Sequence, residues 1–306
     1  MTSTNDPFMQ RSRQFILLVL ASLVACTRDV TIPVQPYESS LSIQSLITPG
    51  LAPTVYLYRT VSFFDPKVTP ADLFVRDGLV TLSSPDGSEV LHPDSTWNAF
   101  RCHYDYHYAG ARPVQAGRTY TLSVESKGQR FSATATTNQR IVPLDSVTYN
   151  KAFSDLYGEH EGVMLHFRDP AGVGENYRFA MRRTYAPTDT IYGTGTEFSA
   201  CALGRTTSLE EIGRSVYADQ NADGAVMTIT VEPAFKHNKG QVGYVQLQVM
   251  DQAAFEYFDQ LDRQKLSQFN PFVEPVFIVR RQFGGRAFGV FGAYSRSDSL
   301  RFVYPE

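Results

Sequence analysis

From Leu41 onward, apolar and polar residues alternate in short runs with the period of a half-buried strand. Leu41–Ile47 (LSIQSLI), Thr54–Tyr58 (TVYLY), Leu79–Leu82, Glu89–Leu91, Arg118–Ser126 (RTYTLSVES) and Arg130–Thr136 (RFSATAT) each predict one such strand. Turn residues punctuate them: Pro49-Gly50, Ser84-Pro85-Asp86-Gly87 and Lys127-Gly128. No helical periodicity is visible before residue 140, so residues 41–140 predict a β-sandwich of the immunoglobulin-like type.

A polar extended piece, Thr137–Pro143, marks a boundary. Beyond it, strands are predicted at Ser146–Tyr149, Val163–Phe167, Asn176–Thr184, Ala225–Val231, Gly243–Met250, Val276–Arg280, Phe288–Phe291 and Leu300–Val303. The pattern changes over residues 251–268 (DQAAFEYFDQLDRQKLSQ). There Phe255, Phe258, Leu261 and Leu266 recur at near-helical spacing, with Asp251 as N-cap and Asn270-Pro271 as the stop. The expected architecture is mostly β: two immunoglobulin-like β-sandwich domains in tandem, 41–140 and 141–306, the second carrying one α-helix.

The N-terminus breaks the alternation. Arg11 and Arg13 precede an apolar run from Phe15 to Val24, the length of a signal-peptide core and too short to span a bilayer. The run ends in Leu23-Val24-Ala25-Cys26, which resembles the bacterial lipobox, whose cysteine thiol receives a diacylglycerol. A plain signal peptide or an anchor helix is the alternative. Residues 1–25 are accordingly read as a lipoprotein signal peptide, with Met9 an alternative start. Residues 26–40, including two prolines within TIPVQPYESS, are read as a tether. Cys26 is the expected lipidation site, and two or more acyl chains suffice for stable anchoring. Thr27 follows it, with no aspartate to retain the chain at the inner membrane. The expected location is the outer membrane, lipid-anchored, facing the periplasm or the surface.

Composition narrows the function. The net charge is −3 and no basic run occurs, which argues against nucleic acid. Aromatic residues make up 13%, with 17 Tyr and 21 Phe but a single Trp, a richness suited to sheets and to sugar- or peptide-binding surfaces. With Cys26 acylated, only Cys102 and Cys201 of the three cysteines remain, and an oxidising compartment would allow them to pair.

Two stretches carry candidate chemistry. In Arg101–Tyr108 (RCHYDYHY), Cys102 and Tyr104, Tyr106 and Tyr108 share one face of a predicted strand. Arg101, His103, Asp105 and His107 share the other. His103 with Asp105, or Asp105 with His107, is spaced to share a metal, but zinc needs at least one further ligand that the sequence does not offer. The simpler reading has tyrosines inward and a polar, solvated outer face that, with Trp97, is a candidate ligand face. The second stretch, Asp219-Gln220-Asn221-Ala222-Asp223-Gly224, places Asp219, Asn221 and Asp223 at the first ligand positions of a calcium loop. Its twelfth position is Thr230, which supplies no bidentate carboxylate, and a hairpin turn at Asp223-Gly224 explains the same residues. A structural calcium ion is the one cofactor considered.

No catalytic signature emerges. There is no G-x-S-x-G, and His160-Glu161 lacks the second histidine of a zinc protease motif. Glu210-Glu211 reads as a pair of solvated loop acids, adjacent residues being unable to flank one glycosidic bond. The chain is expected not to be an enzyme.

Several blocks carry a resemblance. They are Gly117–Val124 (GRTYTLSV), Ala133–Pro143 with Leu144-Asp145-Ser146-Val147, Asp169–Gly172 with Glu175–Phe179 (ENYRF), Asn270–Pro275 (NPFVEP), Gly284-Gly285 and Gly289–Tyr294 (GVFGAY). In these, nearly the whole mature chain resembles the domain of unknown function 4249 family of Bacteroidota lipoproteins. It departs at Arg281-Gln282-Phe283, where that family has an asparagine-containing lead-in to the double glycine. The resemblance implies an outer-membrane lipoprotein encoded near TonB-dependent receptors, and no catalytic residues. The favoured expectation is therefore a non-catalytic accessory to a TonB-dependent receptor in ligand capture or uptake. A surface hydrolase or carbohydrate-active enzyme is the first alternative, and a structural or adhesion module of the envelope the second.

Overall fold

In Leu41–Ile47 the alternation sends Ile43, Ser45 and Ile47 to one face, and all three are buried. The same logic repeats along the chain. The computed structural model describes residues 37–62, 69–155, 158–172, 174–189, 201, 205–212, 216–219, 222–231, 237–269, 282–285 and 287–305. Within them lie sixteen strands and two helices. The first half holds β1 (Leu41–Ile47), β2 (Thr54–Arg59), α1 (Pro70–Leu73), β3 (Leu79–Ser84), β4 (Gly87–Asn98), β5 (His103–Ala109), β6 (Thr119–Ser126) and β7 (Gln129–Thr136). The second holds β8 (Ser146–Asp155), β9 (Gly158–Arg168), β10 (Asn176–Tyr185), β11 (Thr207–Ile212), β12 (Tyr217–Ala218) and β13 (Val226–Val231). It continues with β14 (Val242–Met250), α2 (Gln252–Phe269), β15 (Ala287–Arg296) and β16 (Leu300–Val303).

The fold is mostly β, with one large mixed sheet and one small one. Thirteen strands follow the order β11-β10-β14-β15-β1-β2-β5-β4-β3-β6-β7, with β12 beside β10 and β16 beside β14. The remaining three form the sheet β13-β9-β8. The chain divides by its internal contacts into Met1–Glu38 and Ser39–Glu306. Among the described residues, two large hydrophobic cores lie within the second unit, beside a smaller cluster under the helix. One gathers Ile43, Leu57, Val80, Tyr108, Leu122 and Phe131 with Phe283, Ala287 and Phe291. The other gathers Leu165, Phe167, Tyr177, Phe179, Val245, Leu247 and Tyr304. The first core therefore borrows β15 from the far end of the chain.

That borrowing explains the glycines of GVFGAY. β1 pairs β15 in parallel, Ile43 opposite Gly289. Gly289 has φ +123, and a Cβ there would come within 1.8 Å of the Ile43 carbonyl oxygen. No other residue fits. On the same strand, a Cβ at Gly292 would meet the Ala254 Cβ at 2.8 Å, so helix α2 lies directly against β15.

Asp251 fixes this docking. One carboxylate oxygen accepts from Ala254 N–H at 2.8 Å, capping α2, and the other accepts from Ala293 N–H of β15 at 2.8 Å. The buried contact is Ala254 with partly buried Tyr257 and Phe258. It keeps Phe258 of the predicted stripe but centres on Ala254 and not on Phe255, because the close approach of Gly292 selects the small Ala254. Leu266, Asn270-Pro271 and the strand predicted at Val276–Arg280 fall outside the described side chains and residues. At the departure from the family pattern, the Gln282 carboxamide bonds both backbone groups of Phe291 at 2.7 Å, tying the turn to β15.

Three elements differ from the sequence reading. α1 lies where no helix was expected, set by Pro70 at its start and by Asp72, whose carboxylate accepts from the Thr69 N–H and hydroxyl. Glu210-Glu211 lies in strand β11, not in a solvated loop. Finally, β4 extends from Gly87 to Asn98, far beyond the predicted Glu89–Leu91. Among the described residues no helix is long and apolar enough to cross a membrane.

Candidate functional site

The ENYRF strand is buried on both faces. Tyr177, Phe179 and Met181 of β10 enter the second core. On the opposite face Arg178 is 3% exposed, with its guanidinium 4.3 Å from the Phe258 ring centre and its Nε donating to Gln248 Oε1 at 3.0 Å. Burial lowers the Arg178 pKa to about 10. β10 thus anchors α2, and the turn that feeds it is held rigidly.

Against this turn folds the Asp219–Gly224 loop. Asp219, 1% exposed, accepts from the Gly174 N–H at 2.9 Å and from the Glu175 N–H at 3.4 Å. Asp169, also 1% exposed, accepts from the Gly224 N–H at 3.0 Å and from the Tyr177 hydroxyl. Exposed Asp223 accepts from the Gly172 N–H at 2.6 Å. The outcome is a cluster in which Asp169, Glu175 and Asp219 each bring a carboxylate oxygen within 4.8 Å of the others.

This regroups the residues expected to bind calcium. Asp219 takes part, Asp223 serves as a loop clasp, and Asn221 lies outside the described residues. Asp169 and Glu175 were not among the sequence candidates, since both come from a turn more than forty residues upstream. Their signal was the Asp169-Pro170-Ala171-Gly172 turn placed just before a strand buried on both sides.

The cluster's electrostatics are unbalanced. Burial, and then the carboxylates of Asp169 and Asp219, raise the Glu175 pKa, against the pull of Arg140, whose guanidinium stands 3.6 Å away. Glu175 Oε2 is buried and has no hydrogen-bond partner among the described residues. Burial and the Asp169 hydrogen bond push the Tyr177 hydroxyl well above its ordinary value, keeping it a donor. Such an oxygen-rich cluster of gathered carboxylates suits a hard cation such as Ca²⁺, which takes oxygen ligands.

The second candidate is the far end of the β4–β5 hairpin. β5 begins at His103, so Arg101 and Cys102 belong to the turn, and it lies between β2 and β4. The tyrosine face is graded: Tyr108 is fully buried, Tyr106 half-buried, and Tyr104 48% exposed. Trp97, opposite Tyr104 in register, is 47% exposed and meets its ring edge-on at 4.9 Å. On the polar face, His103 Nε2 stands 3.6 Å from Asp105 Oδ1, and Asn98 Nδ2 donates to Asp105 Oδ2 at 2.9 Å. His107 is not solvated: it is 8% exposed, and its Nδ1 lies 3.1 Å from the Asp105 carbonyl oxygen. The face therefore joins His103 to Asp105 and leaves His107 inside.

Cys102 and Cys201 are disulfide-bonded, with Cα atoms 5.4 Å apart. Cys26 lies outside the described residues. The sequence matches no curated protein. The family Domain of unknown function (DUF4249) matches residues 27–298, a span that includes the acidic turn, the hairpin and the GVFGAY strand, and the chain belongs to that family.

Proposed function

We propose that the chain is a non-catalytic, outer-membrane lipoprotein, anchored through Cys26, that acts as an accessory to a TonB-dependent receptor in ligand capture or uptake. The observation carrying this reading is the exposed aromatic pair Trp97–Tyr104, presented at the end of a ribbon that runs out of the core. Large exposed aromatics of this kind suit recognition better than catalysis. The two separate cores support a subdivision into two sandwiches, 41–140 and 141–306, joined by β15.

Pull-down of the lipoprotein from detergent-solubilised outer membrane tests it. A TonB-dependent receptor recovered in near-stoichiometric amount, and recovered about tenfold less with Trp97→Ala, supports the reading. Full lipoprotein recovery without a receptor ends it. For the anchor, Cys26→Ala is expected to abolish labelling by a fatty-acid analogue.

A structural calcium ion held by Asp169, Glu175 and Asp219 is a second reading, favoured by the buried, partnerless Glu175 Oε2. At 1% exposure Asp169 and Asp219 are closed to a substrate, which counts against a hydrolase using these acids. Millimolar calcium is then expected to raise the melting temperature of the wild type and not of Asp219→Asn. No shift in the wild type rejects the ion.

A further inference from the structure

A two-stranded ribbon alone is marginal in water and needs burial or a staple. The β4–β5 hairpin has burial only at its base, where Leu91 and Tyr108 are 1% and 0% exposed. Toward the tip the burial runs out, and Trp97 and Tyr104 are 47% and 48% exposed.

The turn beyond them is itself demanding. Cys102 has φ +59, a left-handed conformation that glycine and asparagine adopt most readily. The Cys102 N–H closes the turn on the Asn98 carbonyl oxygen at 2.8 Å, and Asn98 Oδ1 accepts from the Arg101 N–H at 3.0 Å. A backbone in this region persists when its surroundings over-determine it. Here the over-determining contact is covalent: Cys102 is bonded to Cys201, 99 positions further on, in the stretch between β10 and β11. The staple therefore acts where burial fails, at a residue held in a left-handed backbone, and it ties a first-half hairpin to the second half.

We propose that the Cys102–Cys201 disulfide is a redox-sensitive strap that fixes the aromatic tip of the β4–β5 hairpin. Oxidised, it holds Trp97 against Tyr104. Reduced, it frees the ribbon beyond Ser95 and Tyr106 while both cores stay folded. The strap forms by thiol–disulfide exchange. The two thiols lose two electrons and two protons to a disulfide donor, which becomes a dithiol. Dithiothreitol reverses the step and leaves as its cyclic disulfide. The inference holds whatever the tip contacts.

Trp97 is the only tryptophan, so its fluorescence reports on the tip alone. In the full chain purified without reductant, peptide mapping is expected to find the Cys102–Cys201 linkage. Adding dithiothreitol is expected to red-shift the Trp97 emission and raise its quenching by acrylamide. It also speeds amide exchange at Trp97, Asn98 and Tyr104 by about tenfold or more, leaving β6 and β14 protected. The double variant Cys102→Ser, Cys201→Ser reproduces the reduced signals and ignores reductant. Should that variant not fold, reduction of the wild type carries the test. A missing linkage overturns the proposal, as do Trp97 signals indifferent to reduction. Loss of protection spreading into β6 and β14 overturns it as well, by making the strap global.

Discussion

At its C-terminal end β10 buries Arg183, fully enclosed, beside Glu211 of β11, with Nε donating to Oε2 at 2.7 Å. At its N-terminal end Glu175 meets Asp169 and Asp219, like charges gathered within 4.8 Å. Both sites are buried, but at one the charge meets an opposite charge. At Arg183, burial favours the neutral form, yet Glu211, Tyr304 and Tyr185 outweigh it and raise the pKa. At Glu175, burial and the neighbouring carboxylates work in the same direction, opposed by Arg140 and a backbone hydrogen bond. The difference teaches that burying charge is tolerable where a partner is built into the adjacent strand. Where the neighbours are themselves acids, the deficit passes to a proton, an arginine or a cation.

The comparison breaks most severely at the paired site. Glu211→Ala leaves the Arg183 charge buried without its carboxylate, and is expected to cost about 3–5 kcal/mol in chemical denaturation. Asp169→Ala strips the acceptor from the Tyr177 hydroxyl and the Gly224 N–H, with an expected cost of about 2–3 kcal/mol. Glu175→Gln sharpens the contrast by running the other way. Because the folded pKa of Glu175 is raised, its carboxyl favours the folded state fully below the unfolded value of about 4.3 and loses that advantage as pH rises through the folded one. Melting curves from pH 4 to 8 without calcium are therefore expected to fall less steeply with pH in Glu175→Gln, which is the more stable protein at pH 7. A variant less stable than the wild type at pH 7 without calcium would reverse that assignment. Smallest is Arg140→Gln. Its side chain is 57% exposed, and a surface pair of this kind contributes less than about 1 kcal/mol, screened further by salt.

Much of the fold was legible in the sequence. β1 and β16 match their predicted bounds, and α2 is displaced by one residue, because each has a regular pattern and clear stops. The distal half of β4 was not legible, since His92–Asn98 leaves the core and carries no alternation for burial to impose. β11 was hidden because Glu211 looks solvated until Arg183 is placed beside it. At the acidic site, Asp219 was legible from its local spacing. Its companions Asp169 and Glu175 were not, because only tertiary folding lays their turn against the loop.

The parallel pairing of β1 with β15 has a mechanical consequence. β1 is the first strand among the described residues, so a pull from its N-terminal side loads it along its own axis. It lies between β2 and β15, with all seven of its residues in register with Ala287–Ala293. A force in that direction shears the whole ladder at once instead of peeling it pair by pair. The chain is thereby braced against tension applied ahead of Leu41, and its last long strand acts as the clamp on β1.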